Sequence, residues 1–153
     1  MGDKILELKR TISAPRADVF KRISTTEGAK TFFAPAAEIE AKDGGSFELL
    51  FDLDQDEGQR GSEGCKVVEV WAPLRLQHTW NFPATMSIRG EQTTVTWSLD
   101  DLGKKTRVSL TDHGWQDGKE WDEGYAYFEK AWDLVLNRLE QSFTEGPIDW
   151  SKA

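Results

Sequence analysis

The apolar positions of the chain change their period several times, and each change marks an element. Residues 4 to 12, KILELKRTI, alternate apolar and polar, with Leu6, Leu8 and Ile12 in step and Ile5 out of step, which predicts a first strand. In SAPRADVFKRI the inward stripe is Val19, Phe20 and Ile23. Ser13 is placed to cap this helix and Pro15 to sit in its first turn, where a missing N–H costs nothing. TTEGAKTFF restarts a short helix from Thr25 or Thr26 and ends on Phe32 and Phe33 before Pro35. From residue 36 to 112 the period is two. AEIEA and SFELLFDL form a hairpin about Asp43, Gly44 and Gly45, with Phe47, Leu49, Phe51 and Leu53 on one face. A second hairpin crosses DQDEGQRG to CKVVEVW, and AP separates that strand from LRLQHTW. The last pair is TTVTWSL and TRVSLTD, where Val95, Trp97 and Leu99, then Val108 and Leu110, face one way and hydroxyl-bearing or charged residues face the other. A sheet apolar on one face only is antiparallel and covered on one side.

The cover is the helix at EWDEGYAYFEKAWDLVLNRLEQSF, residues 120 to 143. Trp121, Tyr125, Phe128, Trp132, Val135, Leu136, Leu139 and Phe143 fall on one stripe about 100° wide. A helix over 118 to 143 is about 39 Å long, whereas a seven-residue strand spans only about 23 Å. The helix therefore crosses the sheet obliquely, and the twisted sheet curls around it. The predicted architecture is α+β: a curved antiparallel sheet of about six to seven strands gripping a long C-terminal helix, with two short helices after the first strand. One domain accounts for residues 1 to 146, and 147 to 153 read as a tail.

Composition narrows the function classes. The 153 residues carry 27 acidic against 19 basic side chains, a formal charge of −8, which repels nucleic-acid backbones and anionic membrane surfaces. One cysteine, Cys65, excludes an internal disulfide and reads as a small buried hydrophobe. No apolar run reaches the length of a membrane span, and the charged start MGDKILELKR does not resemble a signal peptide, so a cytoplasmic location is expected. There is no zinc-ligand spacing, phosphate-binding glycine loop or nucleophile elbow, and no cofactor or metal is predicted. DLDQDEGQRGSE places Asp52, Asp54, Asp56 and Glu63 at ligand positions of a calcium loop. It has Glu57 where the sharp turn needs glycine, however, and strands on both flanks, so an acidic solvated hairpin is the reading.

Several segments in order, ISAPRADVFKRIST, KDGGSFEL, GSEGCKVVEV, PLRLQHTWN, and LTDHGW followed by YFEKAWDLVLNRL, resemble the single-domain bacterial homologues of the activator of heat-shock-protein-90 ATPase, within the START-like (SRPBCC) helix-grip superfamily. The resemblance covers residues 5 to 143. It implies an elongated cavity between the grip helix and the sheet, of the kind that relatives use for lipids, sterols, hormones or polyketides. It also raises a chaperone contact, although no counterpart is expected here of the N-terminal domain with which the namesake meets the chaperone.

The rings supply the candidate site. A long helix held off a concave sheet leaves gaps that stiff rings line without closing, so Phe32, Phe33, Trp80, Trp97, Trp121, Tyr125, Phe128 and Trp132 are the expected lining of a small-molecule cavity. His78 shares the inward parity of Leu76 and Trp80, and Asp112 that of Val108 and Leu110. Either is suited to orient a ligand or to act as acid or base. The plainer accounts are a histidine satisfied by a backbone carbonyl and an aspartate bonded to the HGW turn. Three functions follow: binding of a small hydrophobic or aromatic ligand, preferred here; a cyclase or hydrolase using His78 or Asp112; and a chaperone-associated interaction module. An exposed edge strand, the first, offers a route to a homodimer.

Overall fold

The computed structural model describes residues 4 to 152. Ten elements follow one another: β1 (Leu6–Ile12), α1 (Arg16–Ser24), α2 (Thr26–Ala29), β2 (Ala36–Ile39), β3 (Phe47–Leu50), β4 (Val67–Trp71), β5 (Arg75–Trp80), β6 (Thr93–Asp101), β7 (Thr106–His113) and α3 (Lys119–Thr144). Five strands form an antiparallel sheet in the order β1-β7-β6-β5-β4, and β2 and β3 form a separate ribbon. The inward parity of the last two strands is as expected, with Val95 opposite Asp112, Trp97 opposite Leu110 and Leu99 opposite Val108. These six side chains are all buried.

The second hairpin departs from the regular pairing that alternation predicts. Between β3 and β4 only two isolated bridges survive, Ser46 with Lys66 and Leu50 with Gly61. The reason is local. A Cβ at Gly61 would lie 1.9 Å from the carbonyl oxygen of Leu49, so only glycine lets the two backbones approach. Next to it the Ser62 hydroxyl accepts from the Leu49 N–H (2.8 Å) and donates to the Phe47 carbonyl (3.2 Å), replacing ladder bonds with side-chain bonds. The strand ends at Leu50, so Phe51 and Leu53 do not continue the buried face of Phe47 and Leu49; they are 44% and 50% exposed.

The helical corner differs in its cap. Pro15 occupies the N-cap position of α1 without a side-chain bond. Ser13 instead donates from its backbone N–H and its hydroxyl to the Glu140 carboxylate on α3, both at 2.8 Å. That pairing belongs to a series along β1 and α3: Lys4 with Asp122 (3.1 Å), Arg10 with Asp133 (2.7 Å), and Arg10 with Asn137. For α2 the cap is as read, the Thr25 hydroxyl accepting from the Gly28 N–H at 3.0 Å.

α3 runs for 26 residues and buries Trp121, Gly124, Phe128, Trp132, Leu136, Leu139 and Ser142, while Tyr125, Val135 and Phe143 are partly covered. No helix among the described residues is long and apolar enough to cross a membrane. The residues after α3 fold back: the Ile148 N–H donates to the Thr31 carbonyl (2.9 Å) and the Trp150 indole to the Lys30 carbonyl (2.7 Å).

Candidate functional site

The space between α3 and the sheet is largely filled by rings. Trp132 on α3 meets Trp80 of β5 at 5.0 Å between centroids, Phe33 at 5.8 Å and Trp97 of β6 at 6.1 Å. Phe33 also packs on Trp80 at 5.7 Å. Near the start of α3, Phe82 closes the gap by packing edge-on against Trp121 (5.2 Å) and Trp115 (5.7 Å). Stiff rings at T-shaped and tilted angles interdigitate here, so the hollow expected from the mismatch of helix and sheet narrows to a cleft along one side of α3.

That cleft has two continuous parts sharing Phe51, Trp80, Tyr127 and Phe128. One, of about 170 Å³, is walled by Phe33, Phe51, Trp80, Phe128, Trp132 and Val135 and ends at Arg138. The other, of about 430 Å³, opens toward the 52–61 loop and is bordered by Arg60, Asn81, Phe82 and Arg89. Phe51, Tyr127 and Leu134 stand on the rim, 44%, 50% and 47% exposed. Large apolar side chains thus cluster at the lip of a concavity, where packing does not require them. A larger depression of about 490 Å³ lies at the helical corner. It is lined mainly by charged and hydroxyl side chains, and its Arg22 is committed to the Ser142 carbonyl near the end of α3 (3.2 Å) and to Thr31 (3.1 Å).

The loop at the polar end is held by one carboxylate. Glu63 accepts from the backbone N–H groups of Gly58 (2.6 Å), Gly61 (2.7 Å) and Arg60 (3.1 Å). Burial alone would raise its pKa, but these backbone donors outweigh that and leave it below the ordinary value. Arg89 completes the clasp, donating to the carbonyls of Phe82 (2.6 Å) and Gly58 (2.7 Å) and pairing with Glu63 at 3.3 Å. Glu63 is thus occupied by the loop backbone, and no group of three or more metal-ligating side chains converges among the described residues.

Of the ten predicted site residues, Phe33, Trp80, Phe128 and Trp132 border the cleft. Phe32 is buried behind Phe33, 5.3 Å away. Trp121 packs on Phe82, and Tyr125 lies toward β1, against Trp115 at 5.2 Å and beneath the Lys4 ammonium at 4.7 Å. Trp97 and His78 lie behind the wall. The Trp97 indole can only donate, and it meets His78 Nε2 at 3.0 Å. Nε2 is therefore the bare acceptor, and Nδ1 carries the proton that goes to the Thr79 carbonyl at 2.8 Å. With both nitrogens bonded, the ring stacked 3.7 Å from Phe47, and burial pushing its pKa down to about 3, His78 is neutral.

Asp112 also points inward rather than to the turn. Its backbone carbonyl accepts from the Trp115 indole (2.8 Å), while Oδ2 accepts from the Trp132 indole (3.2 Å). Oδ1 makes no well-formed hydrogen bond among the described residues. Burial raises this carboxyl to about 7, against the opposing pull of the Thr93 hydroxyl and Trp132; the Thr93 contact thus lends partial support without meeting full hydrogen-bond geometry. The indole N–H of Trp80 is likewise buried without a partner among the described residues. Cys65 is buried, and loss of solvent pushes its thiol up to about 11, so it is inert as a nucleophile at neutral pH.

Sequence reasoning missed Phe51 as a wall residue, together with Tyr127, Leu134 and Arg138. The available signal was Tyr127 and Leu134: large apolar residues on a helix flank beside, not within, the buried stripe.

A curved antiparallel sheet around a long C-terminal helix, with a ring-lined cleft beside that helix, defines a helix-grip protein. The chain belongs to the family described as Activator of Hsp90 ATPase homolog 1-like protein, whose model matches residues 13–144. Protein MLL2253 from Mesorhizobium loti shares the fold at a TM-score of 0.75 and 16% identity, over 95% of this chain and 100% of that one. The Aha1 dimer from Colwellia psychrerythraea gives 0.70 and 17%, over 94% and 98%. CalU16 from Micromonospora echinospora gives 0.69 and 16%, over 95% and 76%. A search of the curated proteins gives no match.

Proposed function

We propose that the protein binds a small hydrophobic or aromatic molecule in the cleft between α3 and Phe51, without acting on it. The observation that carries this reading is the exposed apolar rim of Phe51, Tyr127 and Leu134 around an apolar cleft continuous with the ring core. Burying some 200 Å² of apolar ligand surface is worth about 5 kcal/mol before the costs of association, which supports affinities reached with few polar contacts. Phe33, Trp80, Phe128 and Trp132 would contact the ligand directly, with Phe32, Trp97, Trp121 and Tyr125 supporting them. Binding is favoured over a cyclase or hydrolase role by the two candidate acid–base groups. Neither borders the cleft, His78 has no free nitrogen, and two indoles separate it from Asp112.

Because Trp80 and Trp132 lie in the wall, intrinsic fluorescence reports occupancy. Titration with decan-1-ol should give a saturable spectral shift, and Phe51→Ala should weaken it about tenfold by removing one wall of the cleft. A linear, unsaturable response in both proteins would count against the cleft. The family name also raises a chaperone contact, and the Colwellia neighbour a dimer. Pull-down by the chaperone's middle domain and light scattering test these separately from ligand binding.

A further inference from the structure

The geometry points to the charge of the ligand: an apolar molecule ending in a carboxylate, which Arg138 holds at the α3 C-terminal end of the cleft. This inference rests on the cleft being a binding site. In the narrower part of the cleft Arg138 is the one charged side chain; every other lining residue there is aliphatic or aromatic. Arg138 is half-buried as a residue and makes no ion pair among the described residues. Its described contact is with the face of the Trp150 ring, 5.5 Å away. A ring face offsets a cation only weakly, and a guanidinium whose contact is a ring face keeps its N–H fork for the two oxygens of a carboxylate. Trp150 is itself pinned through its indole to the Lys30 carbonyl (2.7 Å), so the C-terminal segment fixes the arginine beside the cleft.

An uncommitted cation against an apolar wall is notable in a chain of net charge −8. The opposite end of the cleft offers no equivalent. Arg89 is neutralised by Glu63 at 3.3 Å. Arg60 gives its Nε to the Gln55 carbonyl (2.8 Å) and shares its part of the cleft with the Asp52 carboxylate. An anion is therefore attracted to the Arg138 end, with its apolar body lying along Val135 and Trp132 toward Trp80. From residue 138 back to 128 the helix rises about 15 Å, a span suited to a medium-length acyl chain or a two-ring aryl acid.

The test compares decanoate with decan-1-ol on the full chain at neutral pH and low salt, by calorimetric titration. Decanoate is expected to bind about tenfold tighter, the margin of one charge-assisted pair. Arg138→Gln should weaken decanoate about tenfold and leave decan-1-ol unchanged, while Arg60→Gln should leave the preference intact. Equal binding of acid and alcohol by the wild type would overturn the carboxylate assignment while the cleft itself stands. A preference that survives Arg138→Gln, or disappears in Arg60→Gln, would overturn the role of Arg138. Failure of either compound to bind would overturn the cleft reading and this inference with it.

Discussion

His78 and Asp112 are buried at opposite ends of a tryptophan pair and respond to pH in opposite senses. Trp97 bonds one, Trp132 bonds the other, and the two indoles meet edge-on at 90°. The His78 pKa falls to about 3 on folding, so the unfolded chain binds the extra proton below its ordinary value of 6.5; this contribution is present at neutral pH and is lost as pH falls. The Asp112 pKa rises to about 7 from 3.8, so the folded state holds the extra proton; that contribution is present near pH 4 and is lost as pH rises through 7. Between those limits the two slopes oppose each other. Asp112→Asn removes one of them. The variant should be more stable than wild type at pH 8, on the order of 2–4 kcal/mol, and its advantage should shrink toward zero at acid pH. Urea denaturation across that range checks the sign, and a pH-independent difference would contradict it. A second substitution separates the ring from its hydrogen bond. Trp97→Phe keeps most of the packing but leaves His78 Nε2 unpaired, a loss of about 1–3 kcal/mol, whereas Trp97→Ala should cost about 3–5 kcal/mol. A loss well under 1 kcal/mol for the alanine variant would show Trp97 bordering open space.

At the level of elements, α3 is shaped by one residue that carries no side chain. A Cβ at Gly124 would lie 2.6 Å from Phe82 Cε1, inside a cluster where that ring already touches Trp115, Trp121 and Phe128. Gly124→Ala gains up to about 1 kcal/mol in helix propensity but forces a packed ring to move, costing about 1–3 kcal/mol. A net destabilisation is expected in thermal unfolding, and a net gain would mean that Phe82 relocates freely. The element also shows how far sequence carries. The stripe from Trp121 to Leu139 was legible because helical period and burial coincide, and so were the alternating strands β6 and β7, each with one apolar face. The stretch from 51 to 66 was not, because its geometry depends on Gly61 approaching the Leu49 carbonyl and on Ser62 replacing backbone partners, neither of which has a period. Gly124 was silent for the same reason: its role is defined by Phe82, distant in sequence.

On the scale of the whole molecule, the over-long helix does not leave a hollow. The rings that suggested a cavity wall mostly meet one another, and the open space moves sideways to where β3 stops short and Phe51 turns outward. Four of the ten candidate residues reach that space, because facing inward and facing a cleft are different properties and alternation reports only the first. The central claim is that the cleft beside α3 takes up a small apolar molecule. The seven tryptophan indole N–H resonances test it directly, since they separate the cleft wall from the rest of the molecule. On titration with decan-1-ol, the signals of Trp80 and Trp132 should shift and saturate together, while those of Trp115, closed off behind Phe82, and Trp71, exposed on β4, stay in place. Saturable shifts confined to Trp71 or Trp115, or no saturable shift at all, would contradict the account.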